Sequence, residues 1–159
     1  MERLSWDDYF LKEIVPAVAK RATCNRGRSG AIIVKDKRIL TTGYVGSPSG
    51  LPHCDDVGHL IHEVIDENGV KSKHCVRTLH AEENAILQAA KFGISIEGAT
   101  MYCSMVPCFR CAMKIIQVGI KRVVALYDYQ KSERTKEEFN EVSIELIIYN
   151  NQIKQYDNE

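Results

Sequence analysis

The sequence predicts an α/β domain, with strands and helices alternating in packed layers. Three observations carry that prediction. Short β-branched or apolar runs recur along the chain, at 31–34, 38–42, 99–103, 123–127 and 144–149. Segments with helical spacing fall before the first run and between the later ones. Gly and Pro punctuate the boundaries. Strand, helix, strand, helix, strand at this spacing calls for right-handed crossovers that lay the helices on a sheet.

Taken in order, residues 5–22 place Trp6, Phe10, Ile14, Val18 and Ala22 on one helical face. Pro16 interrupts that face and predicts a kink or a restart. Ala31-Ile32-Ile33-Val34 and Arg38-Ile39-Leu40-Thr41-Thr42 read as two strands, with Lys35-Asp36-Lys37 as the turn of a hairpin. Residues 43–78 are irregular, cut by Gly43, Gly46, Pro48, Gly50, Pro52, Gly58 and Gly69; a stretch of this length within a small domain is functional or tied down. Within it, 59–65 reads as a short helix. Residues 80–91 form a strong helix with an alanine-rich stripe, stopped by Gly93. A strand at 99–103 precedes a helix at 108–118 that opens beside Pro107 and closes at Gly119. A buried strand at 123–127, a helix at 133–140 and a strand at 144–149 follow. The tail, 150–159, is polar and predicted to be exposed. No repeat or low-complexity tract divides the 159 residues, so 1–159 reads as one domain.

Composition narrows the function. The chain has 45% hydrophobic residues with 10 Gly and 4 Pro, which excludes a collagen-like or disordered class. No stretch nears the roughly 20 apolar residues that cross a bilayer, and the first residues lack a signal-peptide core. A cytoplasmic protein with no membrane partner is expected. Lys and Arg number 21 against 21 Asp and Glu, which argues against a nucleic-acid partner. In a reducing compartment the six Cys are metal ligands, nucleophiles or buried apolar residues rather than disulfides.

Two segments carry the chemistry, His80-Ala81-Glu82 and Pro107-Cys108-Phe109-Arg110-Cys111. The two Cys lie three apart at a helix start, so both sulfurs can meet at one point, and the helix N-terminus favours thiolates. His80 starts another helix and supplies an imidazole. One His and two Cys leave a fourth tetrahedral position open, as a catalytic zinc requires and a closed structural zinc does not. Such a metal lowers the pKa of water toward neutrality. Glu82, two residues past His80, does not share its helical face. It is placed to carry protons from water to a ring nitrogen and a leaving amine. His-x-Glu followed by Pro-Cys-x-x-Cys is the signature of zinc-dependent nucleobase deaminases. A lone Cys-x-x-Cys would suit a structural zinc or a redox pair, but neither uses His80 and Glu82.

At these residues the sequence resembles the deoxycytidylate (dCMP) deaminase family of the cytidine deaminase-like superfamily. The resemblance extends to Trp6-Asp7-Asp8-Tyr9-Phe10, Arg21-Ala22-Thr23-Cys24-Asn25-Arg26, Gly30-Ala31-Ile32-Ile33-Val34, Cys54-Asp55-Asp56-Val57-Gly58-His59 and His74-Cys75-Val76-Arg77-Thr78. It implies a three-layer α/β/α fold around a five-stranded mixed sheet. It also implies hydrolysis of dCMP to dUMP and ammonia, with zinc-activated hydroxide attacking C4 of cytosine. His80, Cys108 and Cys111 match the zinc ligands, Glu82 the proton shuttle, and Asn84 a residue beside the nucleotide. Arg26 suits a phosphate monoester, or is a surface Arg; Tyr127 borders the base, or is core. The family segment Gly-Tyr-Asn-Gly here reads Gly43-Tyr44-Val45-Gly46, and Val45 cannot reproduce a side-chain hydrogen bond to the sugar. A homo-oligomer, hexameric in many members, with dCTP activating and dTTP inhibiting, is implied as well.

Cys24, Cys54 and Cys75 fall outside the catalytic set. They form either a second, structural zinc site, completed by His74 in the region matching such members of the family, or three buried thiols. His53 is a further candidate, and adjacent His74 and Cys75 crowd one ion. Cys103 reads as core, and His59 and His62 as a solvated pair. Two other functions remain open: a zinc deaminase of another base, including a tRNA adenosine, and a non-catalytic zinc-stabilised binding module. A binding module has no use for Glu82.

Overall fold

The structure, a computed structural model, describes residues 1–154. Its centre is a five-stranded sheet in the order β2-β1-β5-β6-β7, formed by β1 (Gly30–Lys35), β2 (Arg38–Tyr44), β5 (Thr100–Met105), β6 (Arg122–Tyr129) and β7 (Glu145–Lys154). β5, β6 and β7 run parallel, whereas β1 is antiparallel to both of its neighbours. The mixed five-stranded sheet implied by the resemblance is present. β1 and β2 are joined at Asp36 and Lys37, whose φ values of 50° and 62° match the twist of a two-residue hairpin.

Alternation along the strands builds the two faces. Ala31 and Ile33, Met101 and Cys103, and Val123 and Ala125 point to one face. They pack against α4 (Ala81–Phe92), α5 (Phe109–Gln117) and α6 (Glu133–Glu141). Two successive right-handed crossovers stepping the same way along a sheet place α5 and α6 on one side. Ile32, Val34, Tyr102 and Val124 point the other way, onto Phe10, Leu11 and Val15 of the N-terminal helix. That helix comprises α1 (Trp6–Asp8), a wide π-type turn (Tyr9–Ile14) and α2 (Val15–Ala19). The interruption expected at Pro16 is this turn: the Val15 N–H reaches back to the Phe10 carbonyl, five residues earlier, immediately before the proline.

Asp7 fastens this helix to the sheet. Its carboxylate accepts hydrogen bonds from Arg122 Nη1 at 2.9 Å and from Tyr102 Oη at 2.6 Å. The Arg122 hydrogen bond pulls the Asp7 carboxyl below its ordinary 3.8, against the upward push of burial. A carboxyl lowered in the folded state contributes stability above its unfolded pKa and loses it as pH falls through the folded value. Asp7→Asn is therefore expected to cost about 1 kcal/mol at pH 7, a gap that closes as pH falls through the lowered pKa of the folded carboxyl. Thermal melts of both proteins across pH 2–7 check this; a gap independent of pH rejects it.

Two elements depart from expectation. Residues 59–65 are not a helix. Ile61–Ile65 forms β3, paired in register with β4 (Lys71–Cys75) as a separate hairpin. Its β-branched Ile61, Val64 and Ile65 favour extended backbone, and Gly69 at φ 79° serves the turn. The one helix in this region is the short α3 (Cys54–Val57). The last strand also extends to Lys154, into the predicted tail; the rest of that tail, 155–159, lies outside the described residues. Among the described residues no helix is long and apolar enough to cross a membrane.

Candidate active site and metal centre

The parallel strands β5 and β6 end at one edge of the sheet, the edge from which α5 begins and where β2 also ends. Such edges collect ligand sites because helix N-termini and loops converge there. α4 is drawn to the same place by a bare backbone. A methyl group at Gly43 would lie 2.2 Å from the Ala81 carbonyl oxygen and 2.4 Å from the Ala85 nitrogen, so only glycine lets β2 and α4 approach this closely. Just before α4, Leu79 and Gly46 exchange backbone hydrogen bonds of 3.0 and 3.3 Å. His80 is then the helix cap, and its backbone N–H donates to the Glu83 carboxylate at 2.9 Å. Glu83 also pairs with Lys114 of α5, joining the two ligand-bearing helices.

Cys108 caps α5 as His80 caps α4. The Cys108 and Cys111 sulfurs each lie 3.5 Å from His80 Nδ1, and the three donor atoms fall within 4.8 Å of one another. His80 is exposed, Cys108 half-buried and Cys111 buried, so the trio opens toward solvent on the histidine side. Hydrogen bonds from Cys111 and His80 pull the Cys108 thiol down to about 4. Cys108 in turn raises His80 to about 9, and Cys111 is pushed up. Two sulfurs and an imidazole nitrogen this close are the donors that suit zinc.

Glu82 is 7% exposed beside this trio, an unusual place for a carboxylate. Burial raises its carboxyl to about 7, with His80 pulling the other way. Cys103 is core, as expected; burial and Glu82 together push its thiol up.

The remaining candidates divide. Asn84 Nδ2 donates to the Tyr44 carbonyl at 2.8 Å, which sets Asn84 beside the end of β2. Val45 packs against the core, with its N–H bonded to the Ser29 carbonyl and its own carbonyl accepting from Thr23. Arg26 donates to the Lys73 carbonyl at 2.9 Å, on the β3–β4 hairpin. The Tyr127 ring lies 4.2 Å from Lys154 Nζ, at the β7 side.

Cys24, Cys54 and Cys75 do come together, and the fourth member is His59 rather than His74. Cys24 Sγ lies 3.5 Å from His59 Nδ1, and Cys54 Sγ 3.5 Å from Cys75 Sγ. The correction follows from the hairpin. Neighbouring residues on a strand face opposite ways, so His74 and Cys75 diverge. His74 pairs instead with Ser72, two residues back on its own face, at 2.8 Å. His59 and His62 are both exposed, as expected, yet Gly58, at φ 83°, turns the chain after α3 and brings the His59 ring back to the cysteines. His53 bonds Thr23 Oγ1 at 3.0 Å. Sequence reasoning also missed Glu83, although a Glu three residues after a helix cap is a recognisable signal.

The family described as "Cytidine and deoxycytidylate deaminase zinc-binding region" matches residues 4–127. The chain belongs to this family. It is 44% identical over 144 residues to ComE operon protein 2 of Bacillus subtilis, covering 91% of this chain and 71% of that one. It is 38% identical over 133 residues to a deoxycytidylate deaminase of Saccharomyces cerevisiae, covering 84% of this chain but only 41% of the relative. Among solved structures, the dCMP deaminase of cyanophage S-TIM5 in complex with dCMP and dUMP superposes with a TM-score of 0.72. That match has 26% identity and covers 93% of this chain and 99% of the phage enzyme. Zinc, the metal in the family's description, agrees with the donors that this deaminase-family chain assembles at His80, Cys108 and Cys111.

Proposed function

We propose that the chain is a dCMP deaminase, converting dCMP and water to dUMP and ammonia. The observation that carries this reading is Glu82, a buried carboxylate next to a three-donor metal set that leaves one coordination position open. Likeness to a phage enzyme captured with dCMP and dUMP supports the substrate. Zinc held by His80, Cys108 and Cys111 would supply Lewis-acid activation of water near neutral pH. Glu82 would take a proton from the attacking water and pass it to N3 of cytosine as oxygen adds to C4. It then relays the second proton to the exocyclic amine, the C4–N bond breaks, and ammonia leaves with the bonding electrons. Burial keeps Glu82 near the midpoint between acid and base, which suits both transfers.

Asn84 would border the nucleotide, Arg26 its phosphate and Tyr127 its base. Val45 offers the sugar neither a polar side chain nor an uncommitted backbone group, so recognition of deoxyribose would fall to its neighbours. A cytoplasmic homo-oligomer, hexameric and regulated by dCTP and dTTP, belongs to the same reading. Ammonia release from dCMP, cytidine, deoxycytidine and dCTP by zinc-loaded protein tests it. The fastest turnover is expected with dCMP; no turnover of any of the four, with zinc bound, sinks it.

The second cluster, Cys24, Cys54, His59 and Cys75, would hold a structural zinc with no open position. Cys54→Ser should remove one of two zinc equivalents and lower the melting temperature by roughly 6–12 °C, equivalent to about 3 kcal/mol at this size. Metal analysis that finds two zinc ions per variant chain would remove Cys54 from the ligands, and a single zinc in the parent chain would rule the second site out.

A further inference from the structure

The loop that carries Cys108 is held from outside by a junction that metal chemistry does not explain. Thr135 is fully buried, and its hydroxyl donates to the Pro107 carbonyl at 2.9 Å. The guanidinium of Arg134 lies 3.7 Å over the ring of Phe109. Two consecutive residues at the start of α6 thus grip the residues on either side of Cys108. The junction itself is rigid. The buried Asp128 carboxylate accepts from the Tyr129 N–H at 2.7 Å, from Ser132 Oγ at 2.8 Å and from Lys136 Nζ at 2.9 Å. Arg134 is oriented in turn by Glu138 at 3.1 Å and by Glu67 on the β3–β4 turn.

We infer that Thr135 and Arg134 are positioning residues for the metal centre, fixing the Cys108 sulfur against His80 and Cys111 by clamping Pro107 and Phe109. The chemistry favours a positioning role over a purely stabilising one. A buried hydroxyl that donates to the carbonyl preceding a ligand sets that ligand's backbone angle. Partners one step out from a metal ligand typically alter metal affinity 10–100-fold. The inference rests on the metal reading of His80, Cys108 and Cys111, but not on the identity of the substrate.

The test uses the full chain loaded with ¹¹³Cd or zinc. A site with two sulfur donors and a site with three give separate ¹¹³Cd resonances. Thr135→Val, which keeps shape and loses the hydroxyl, is expected to move or broaden the two-sulfur resonance and leave any three-sulfur resonance in place. Zinc release from that site to a chelator should speed up 10–100-fold. Turnover should fall in kcat with KM nearly unchanged, and Thr135→Ser should restore all three properties. Arg134→Leu gives a weaker change of the same kind, and carries the test if Thr135→Val fails to fold. Unchanged cadmium spectra and zinc release in both variants overturn the inference, as does a Thr135→Ser protein that behaves like Thr135→Val. A chain that deaminates no nucleotide but shows the altered spectra and release upholds it while removing the proposed activity. A wild-type chain without the two-sulfur resonance overturns both.

Discussion

Glu82→Gln is expected to keep zinc at His80, Cys108 and Cys111 and to lower kcat by 10²–10⁴-fold, the usual contribution of a positioned acid–base group. Gln fills the same space in the buried pocket, so fold and metal content should match the parent within error. An amide, unlike the carboxyl group held near neutrality by burial, cannot accept a proton from water and return it. KM for the nucleotide should change little, because the lost function is proton transfer rather than contact. Full activity in this variant would remove Glu82 from the chemistry. Loss of metal together with activity would instead make it a structural support for His80. Zinc analysis and steady-state kinetics on one preparation separate these outcomes.

Gly43→Ala is the second large effect. The added methyl meets helix backbone rather than a flexible side chain, at 2.2 and 2.4 Å from atoms of Ala81 and Ala85. Ordinary contact needs at least about 1 Å more, so α4 has to move away from β2. His80 caps that helix and Glu82 lies in its first turn, so the displacement passes directly into the metal set. Overpacking of this kind costs typically 1–3 kcal/mol or more, and a misplacement of about 1 Å at a reacting group can cost 10²-fold in rate. The expected protein melts well below the parent and turns over at least 10²-fold more slowly. A Gly43→Ala protein with parental melting temperature and kcat would show that the close approach has no functional role.

The legibility of the sequence followed the range of the interactions. His80, Glu82, Cys108 and Cys111 could be read directly because each lies in a short motif whose helix start sets its direction. The apolar runs at 31–34, 99–103 and 123–127 marked the strands, whereas helices on both sides of the sheet came from the family resemblance. His59 could not be read this way. Its position depends on a turn at Gly58 and on a hairpin, and Ile61-His62-Glu63-Val64-Ile65 fits a short helix as readily as a strand until β4 pairs with it. His74 looked equivalent to Cys75 only while the strand that separates their directions was missing. Gly43 stood out as punctuation, but its reason, a helix from a distant segment lying against it, belongs to the tertiary structure. The clamp from Arg134 and Thr135 is likewise invisible locally, because nothing near 134–135 in sequence refers to 107–109.

One arrangement has a temporal side. The donors of the second cluster, Cys24, Cys54, His59 and Cys75, all precede His80, the first of the catalytic trio, which Cys111 completes. As the chain emerges from a ribosome, the first four donors are therefore all available while the later trio is still being made. A metal captured at that stage would close the nascent chain into a loop from 24 to 75, shortening the conformational search of the irregular segment between them. Biosynthetic order would thus give the earlier cluster first access to a scarce ion.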